Sequence, residues 1–292
     1  MELRLLRYFL AVAREENITR AAEALHITQP TLSRQLARME EELGVQLFDR
    51  SARRTVLTGE GLLLRRRAEE IIALSEKTEQ ELMEQDARVN GKISIGCGEI
   101  EGVHRVVDAC KAFHEKYPLT CFDFFTGNAD AVQDQMDKGL LDLGLLLEPV
   151  NTDAYEFVRL DVLENWGVMM RKDDPLAAKE RISADDLKSL PLILPRRNSV
   201  RNELASWFGE AYEDLQTVAT SNLRTNSAVM VEKGLGYALT IMGPMPIHEN
   251  CLTMRPLEPA LTATSVLAWK RQQTFGGAAR RFIQFLRTFL RG

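Results

Sequence analysis

The sequence predicts a small helical head, one long helix and an α/β body, in that order. Three observations carry this reading. The first sixty residues break into short helical pieces separated by capping and turn residues. From Glu60 to Arg88 there is no Pro and no Gly beyond Gly61, and apolar residues step by three and four. After Asn90-Gly91, strand-like and helix-like segments alternate, the signature of a sheet with helical crossovers. At 292 residues the chain has room for roughly two domains at ~150 residues each. A composition of 45% hydrophobic and 27% charged residues argues against extended disorder or a fibrous repeat.

In the head, Leu3, Leu6, Leu10 and Ala13 mark one face of a first helix, which Glu15-Glu16-Asn17 ends. Thr19 is the expected N-cap of a short second helix carrying Ala21, Ala22, Ala24 and Leu25. His26-Ile27-Thr28 makes a tight link. Thr28 or Gln29 caps a third helix, with Pro30 in its first turn where a missing N–H is harmless. Leu32, Leu36, Met39 and Leu43 form its inner stripe, and Gly44 stops it. Val45–Phe48 and Thr55–Leu57 flank the basic loop Asp49–Arg54, which reads as a hairpin wing.

Along the rod, Leu57, Gly61, Leu64, Ala68, Ile71, Ser75, Thr78 and Leu82 make a seven-residue repeat. Such a stripe would otherwise face water, so pairing with a second copy through Leu64, Ala68, Ile71 and Leu82 is expected. In the body, strands are expected at Lys92–Gly96, Thr120–Thr126, Leu141–Leu147, Leu192–Leu194, Val218–Ser221, Tyr237–Met242 and Ala263–Trp269. Helices are expected at Val103–Tyr117, Ala129–Lys138, Val200–Phe208, Ser227–Lys233 and Ala278–Leu290.

Two short helices joined by a few residues, the second opening with compact polar side chains, form a helix-turn-helix. Its first turn must reach base edges in the DNA major groove, and Thr28, Gln29, Thr31, Ser33 and Arg34 supply suitable donors and acceptors. Arg50, Arg53 and Arg54 on the wing are placed to grip phosphates. The whole chain carries a net charge of −5, and in residues 1–60 nine arginines meet nine acids. Affinity for DNA must therefore come from local placement.

At this point the residues resemble a known family. The runs Leu6-Arg7-Tyr8-Phe9-Leu10-Ala11-Val12-Ala13, Thr19-Arg20-Ala21-Ala22-Glu23-Ala24-Leu25 and Thr28-Gln29-Pro30-Thr31-Leu32-Ser33-Arg34-Gln35-Leu36 closely resemble the LysR-type transcriptional regulators. So do Glu41-Glu42-Leu43-Gly44-Val45-Gln46-Leu47-Phe48-Asp49-Arg50 and Thr58-Gly59-Glu60-Gly61. The match is dense over the first sixty residues; beyond them it rests on length and pattern. The resemblance implies a winged helix-turn-helix at 1–59, a dimerising linker helix at 60–89 and a periplasmic-binding-protein-like effector domain at 90–292. That domain would divide into one subdomain at about 90–162 plus 266–292 and a second at about 163–265. The resemblance further implies double-stranded operator DNA as partner, a homodimer or homotetramer, contact with RNA polymerase, and a small-molecule effector. Gln29, Pro30, Thr31, Ser33 and Arg34 map onto the groove-facing helix, and Arg50, Arg53 and Arg54 onto the wing.

In open α/β sheets ligands sit beyond the carboxyl ends of strands, where helix N-termini present free amides. This singles out Gly96-Cys97-Gly98-Glu99, Thr126-Gly127-Asn128, the segment Pro195–Arg201 and the segment Asn222–Asn226. The expected effector-binding residues are Cys97, Gly98, Glu99, Thr126, Asn128, Ser199, Val200, Arg201 and Thr225. A carboxylate metabolite fits amides and an arginine. Glu99 departs from the family, which often has Ser or Thr near that point, and it opposes an anion unless it turns outward or the ligand carries an amine or hydroxyls.

Cys97, Cys110, Cys121 and Cys251 contain no CxxC pair, which fits a reducing compartment rather than a disulfide framework or zinc finger. Cys97 with His104 or His114 lacks the arrangement of a nucleophile and base, and with Cys110 and His114 it lacks metal-ligand spacing. No enzyme, metal or cofactor is expected; the alternatives are a thiol- or redox-sensing regulator using Cys97, or an enzyme with a fused DNA-binding head. The apolar start is broken by Glu2, Arg4 and Arg7, so no signal peptide is expected. No apolar run approaches the ~18 residues of a membrane span. The expectation is a soluble, cytoplasmic protein with no membrane partner.

Overall fold

The computed structural model describes residues 2–49, 54–83, 89–148, 150–151, 153–243 and 251–290. The chain divides into two compact units, Met1–Met83 and Glu84–Gly292.

The first unit packs α1 (Leu3–Glu15), α2 (Ile18–Ala24) and α3 (Gln29–Leu43), followed by the two-stranded wing β1 (Phe48–Asp49) and β2 (Val56–Leu57) and the long helix α4 (Gly59–Met83). Its core joins Leu5, Leu6, Phe9 and Val12 of α1 to Ala21 and Ala22 of α2 and Leu32, Leu36 and Met39 of α3. The apolar face of α1 is thus rotated from the expected stripe: Leu3 is exposed, while Phe9 and Val12 are fully buried. Leu43 is also exposed rather than part of the α3 stripe. The cap of α2 is Asn17, whose side chain accepts the Arg20 N–H at 3.0 Å; Thr19 lies inside the helix. Asn17 takes the cap because it stands one residue before the helix with extended backbone, where its side-chain oxygen reaches a first-turn amide.

The wing is tied to α3 by Glu40, whose Oε1 accepts the amides of Leu47 at 2.8 Å and Phe48 at 3.2 Å. Thr58 makes the junction to α4. Its hydroxyl donates to the Gln46 carbonyl at 2.7 Å and accepts the Gly61 N–H at 3.0 Å. A Cβ at Gly61 would lie 2.2 Å from the Leu47 carbonyl oxygen, so this close approach of helix to strand requires glycine.

The second unit runs β3 (Gly91–Cys97), α5 (Gly102–Lys116), β4 (Thr120–Thr126), α6 (Ala129–Asp137), β5 (Leu143–Leu147), β6 (Tyr155–Arg171), β7 (Ile182–Ser183), α7 (Ala184–Leu187) and β8 (Leu192–Pro195). It continues with α8 (Asn198–Phe208), β9 (Thr217–Ser221), α9 (Arg224–Glu232), β10 (Tyr237–Ile241), β11 (Leu252–Glu258), β12 (Thr262–Lys270) and α10 (Gly277–Phe289). The strands lie in the order β4-β3-β5-β12-β6-β10-β8-β9, with β11 on β6 and β7 on β11.

One strand belongs to both halves of this sheet. From Tyr155 to Asn165, β6 pairs antiparallel with β12; from Trp166 to Arg171 it pairs with β10 and β11. The two lobes have separate cores. One is built on Ile93, Ile95, Val106, Phe113, Leu267 and Phe282, the other on Trp166, Val168, Leu192, Leu204, Leu239 and Leu257. Neither β6 nor β11 is foreseen from the sequence. In β6, charged Glu156, Arg159, Asp161 and Glu164 interrupt the apolar pattern, and Asp161 (φ 54°) sits where the register with β12 slips.

At the point where β6 passes between lobes, the Glu164 side chain is fully buried. Its oxygens accept the amides of Gly102 at 2.7 Å and Glu101 at 3.0 Å, and the Ser265 hydroxyl. A carboxylate here answers unpaired amides and the positive end of α5 together. Glu164→Ala strands those donors in the interior, and is expected to destabilise the second unit by about 3 kcal/mol. Urea unfolding followed by tryptophan fluorescence reads that unit alone, since Trp166, Trp207 and Trp269 all lie in it. A loss under 1 kcal/mol, on the scale of an ordinary surface change, rejects the anchor.

Candidate functional site

On α3, Leu32, Leu36 and Met39 face the core while Thr28, Gln29, Pro30, Thr31 and Arg34 are exposed and Ser33 is half-buried. The helix geometry thus places the polar first turn on the outer face. Thr28, at the N-cap position, makes no capping bond; its hydroxyl shares a 2.8 Å hydrogen bond with that of Thr31. On the wing, Arg54 is exposed and pairs with Glu16 at 3.4 Å. Arg50 and Arg53 lie outside the described residues.

The expected dimer seam splits in two. Ala68 is fully buried in the core of its own head, and Leu64 and the neighbouring Ile72 pack against the same core. Those residues are consumed within the unit, because α4 lies along α1 and must cover it. Ile71 and Leu82 are exposed, at 38% and 82%, and they fall in line with exposed Leu63 and Leu74. The free apolar stripe of α4 therefore runs through Leu63, Ile71, Leu74 and Leu82.

In the second unit a cavity of about 160 Å³ opens between the lobes. Its walls are apolar, with Ile100, Leu145 and Leu147 from one lobe and Trp166, Leu194, Leu239 and Ile241 from the other. Polar groups from both lobes ring it: Glu99, Asn128, Arg196, Arg197, Ser221, Arg224, Ser227 and Thr240. The Asn128 side chain caps α6 by accepting the Ala131 N–H at 2.9 Å. The Arg224 guanidinium donates to the Ile241 carbonyl at 3.4 Å. Burial pulls its pKa below the ordinary value, against the opposing effect of Glu99, Glu101 and Glu164. The buried Trp166 indole N–H has no acceptor among the described residues.

Of the expected effector residues, Gly98, Glu99, Asn128 and Val200 line this cavity. Thr225 stands beside it and binds Glu99: its amide donates to Glu99 Oε2 at 3.1 Å and its hydroxyl to Oε1. Cys97 does not line it. The strand β3 continues through Cys97, which is 5% exposed in the core of its lobe. Thr126 is exposed at the end of β4 and hydrogen-bonds the Cys97 thiol rather than facing the cavity. Arg201 does not line the cavity; its Nε donates to the Tyr212 hydroxyl at 3.3 Å. Of Ser199 only the backbone is described, at the start of α8. Sequence reasoning missed Trp166, the leucine wall and Ser227; Arg224 falls inside a segment it singled out but was not itself chosen.

The Cys97 thiol is pushed above its ordinary pKa by burial, partly offset by the Thr126 hydrogen bond, and burial pushes Cys110 up to about 12. Burial thus disfavours the thiolate form at both positions. His114 Nδ1 is engaged with the Thr120 carbonyl at 3.0 Å, and among the described residues no cluster of His, Cys, Asp or Glu can hold a metal. No helix among the described residues is long and apolar enough to cross a membrane.

Comparison with known proteins fixes the class. The family model described as the bacterial regulatory helix-turn-helix protein, lysR family, matches residues 3–62, and that of the LysR substrate binding domain matches residues 86–291. The chain belongs to the LysR family of helix-turn-helix transcriptional regulators. Among its relatives is the HTH-type transcriptional regulator BsdA of Bacillus subtilis (strain 168), 27% identical over 290 residues, covering 97% of this chain and 99% of that one. The HTH-type transcriptional regulator BudR of Raoultella terrigena is 28% identical over 289 residues, covering 97% and 99%. The fold matches that of the LysR family regulator CbnR, solved full-length with its target DNA, at a TM-score of 0.71 and 18% identity over 99% of both chains. The relatives are regulators, not enzymes.

Thiol exposure gives a direct check of the cavity assignment. In the native protein at pH 8, a chromogenic disulfide reagent is expected to modify Cys121 and Cys251, both exposed, and to reach Cys97 and Cys110 only on unfolding. Rapid native labelling of Cys97, located by peptide mass, contradicts its place in the core.

Proposed function

We propose that this regulator binds double-stranded operator DNA as a homo-oligomer in the cytoplasm, and that a small molecule in the cleft of the second unit tunes its action at promoters, including any contact with RNA polymerase. The observation that carries the reading is the cavity walled by both lobes on a chain that also presents the polar turn of α3. Gln29, Ser33 and Arg34 read base edges, with Pro30, Thr28 and Thr31 shaping the entry to the groove. Arg54, with Arg50 and Arg53, holds phosphates. Glu99, Asn128, Val200, Arg224 and the wall around Trp166 receive the effector. The relative CbnR was crystallised with its target DNA, which supports the same task for this head.

Base and phosphate contacts leave different signatures. Ser33→Ala or Gln29→Ala is expected to relax preference at one operator position, by about 1–3 kcal/mol per lost contact. Arg54→Ala is expected to weaken binding to all sequences and to lower the slope of log affinity against log salt by about one. Titrations of labelled operator at several salt concentrations measure both. A change of sequence preference with an unchanged salt slope in Arg54→Ala rejects the wing role.

Assembly is proposed to use the free stripe of α4. Leu74→Glu is expected to shift the mass measured by light scattering toward the monomer while leaving the far-ultraviolet circular dichroism unchanged, because only the partner's cover is lost. Ala68→Glu is expected to unfold the head instead, since that site is fully buried within its own unit. An unchanged mass for Leu74→Glu rejects the stripe as the contact.

A further inference from the structure

Three groups of the cleft that could receive an anion, on Thr225, Arg197 and Arg224, are engaged by the chain itself. The amide and hydroxyl of Thr225, in the first turn of α9, hold the Glu99 carboxylate. The Arg197 Nε meets Asp130 Oδ1 at 2.8 Å. Arg224 donates to the Ile241 carbonyl. Glu99 and Asp130 come from the lobe of β3 and α6, whereas Thr225 and Arg197 come from the lobe of α8 and α9. Two carboxylates of one lobe thus reach across the cleft to donors of the other.

What remains open is apolar. The cavity of about 160 Å³ matches the size that holds one benzene ring when lined by aliphatic residues. On its wall Trp166, 4% exposed, carries an indole N–H with no acceptor among the described residues.

We propose that Glu99 is a built-in occupant of the cleft's anion site, so that the cleft takes an uncharged, ring-sized molecule rather than a carboxylate. This rests on the reading of the cleft as the effector site. A carboxylate entering beside Glu99 would place two like charges in a partly desolvated space, which favours neither. It could not use the Thr225 amide without displacing Glu99. Arg196 at the rim is exposed, and exposed ion pairs add little. A neutral ring instead fills the apolar wall of Ile100, Leu145, Leu147, Leu194 and Leu239.

The test uses full-length protein and two probes with the same ring, cyclohexylmethanol and cyclohexanecarboxylate, measured by isothermal titration calorimetry at pH 7.5 and low salt. Wild type is expected to bind the alcohol at least tenfold more tightly than the carboxylate. Glu99→Ala frees the Thr225 amide and is expected to improve carboxylate binding by tenfold or more. Adding Thr225→Pro, which removes that N–H in the first helical turn, is expected to abolish the gain. Circular dichroism confirms that each variant is folded. Wild-type preference for the carboxylate, or a preference that Glu99→Ala leaves unchanged, overturns this proposal and leaves the cleft an effector site. Binding of neither probe to either protein overturns both readings together.

Discussion

The second unit depends on three consecutive residues of one strand. Glu164 is fully buried and holds the amides that open α5 in one lobe. The Asn165 carbonyl accepts the Met242 amide, next to β10 in the other lobe, at 2.7 Å. The Trp166 amide donates to the Leu261 carbonyl at 2.9 Å, just where the chain returns to the first lobe. The two strands that pass between lobes are therefore bonded to each other at the crossing. Any relative motion of the lobes must bend this short stretch, and Trp166 at its end is also a wall of the cavity. A molecule in the cavity would thus touch the crossing itself.

How much of this was legible in the sequence follows from how local each feature is. The three head helices, the wing, and most strands and helices of the body declared themselves through periodicity and capping residues. Thr120–Thr126 is a strand with the bounds expected for it. Errors came where tertiary partners decide. The face of α1 is set by α3 and α4 together, which moves the stripe from Leu3 to Leu5, Phe9 and Val12. A heptad stripe cannot say which neighbour covers it, so Leu64 and Ala68 looked free for a second copy although the head takes them. Cys97 between two glycines reads as a loop, yet β4 pairs with β3 through Cys97. At the cleft, the strand-end rule found the loops that carry Glu99, Asn128, Val200 and Arg224. It could not find Trp166 or Leu239, because their place at the cavity depends on the crossing of β6, whose charged residues mask it as a strand.

In the head, a neutral charge balance is compatible with DNA binding because the charges sit in different places. The acids of α3 lie toward its end, with Glu40 spent on the wing amides and Glu42 paired with Arg38. The first turn, residues 29–32, is uncharged, and Arg34 is the first charge along the helix. The Arg54–Glu16 pair is exposed on both sides, at 77% and 50%. Such a pair contributes only about 0–1 kcal/mol. A phosphate can therefore take the arginine from Glu16 with little loss, while the released counterions supply the affinity.

The same comparison of magnitudes separates two jobs in the cleft. Of the contacts that cross it, the Arg197–Asp130 ion pair is partly solvated, and a pair of that kind is worth about 0–1 kcal/mol. It is too weak to fix the distance between lobes alone. A buried aromatic-sized ring covers roughly 150 Å² of apolar surface, which at about 25 cal/mol per Å² is a gross gain of about 4 kcal/mol. Ordering and desolvation take part of it back. Where half of it, about 2 kcal/mol, is gained only with both walls in contact, a two-state equilibrium shifts roughly thirtyfold toward that arrangement. On the proposed reading, filling the apolar cavity sets the lobes, and the charged contacts at its rim select which molecules enter.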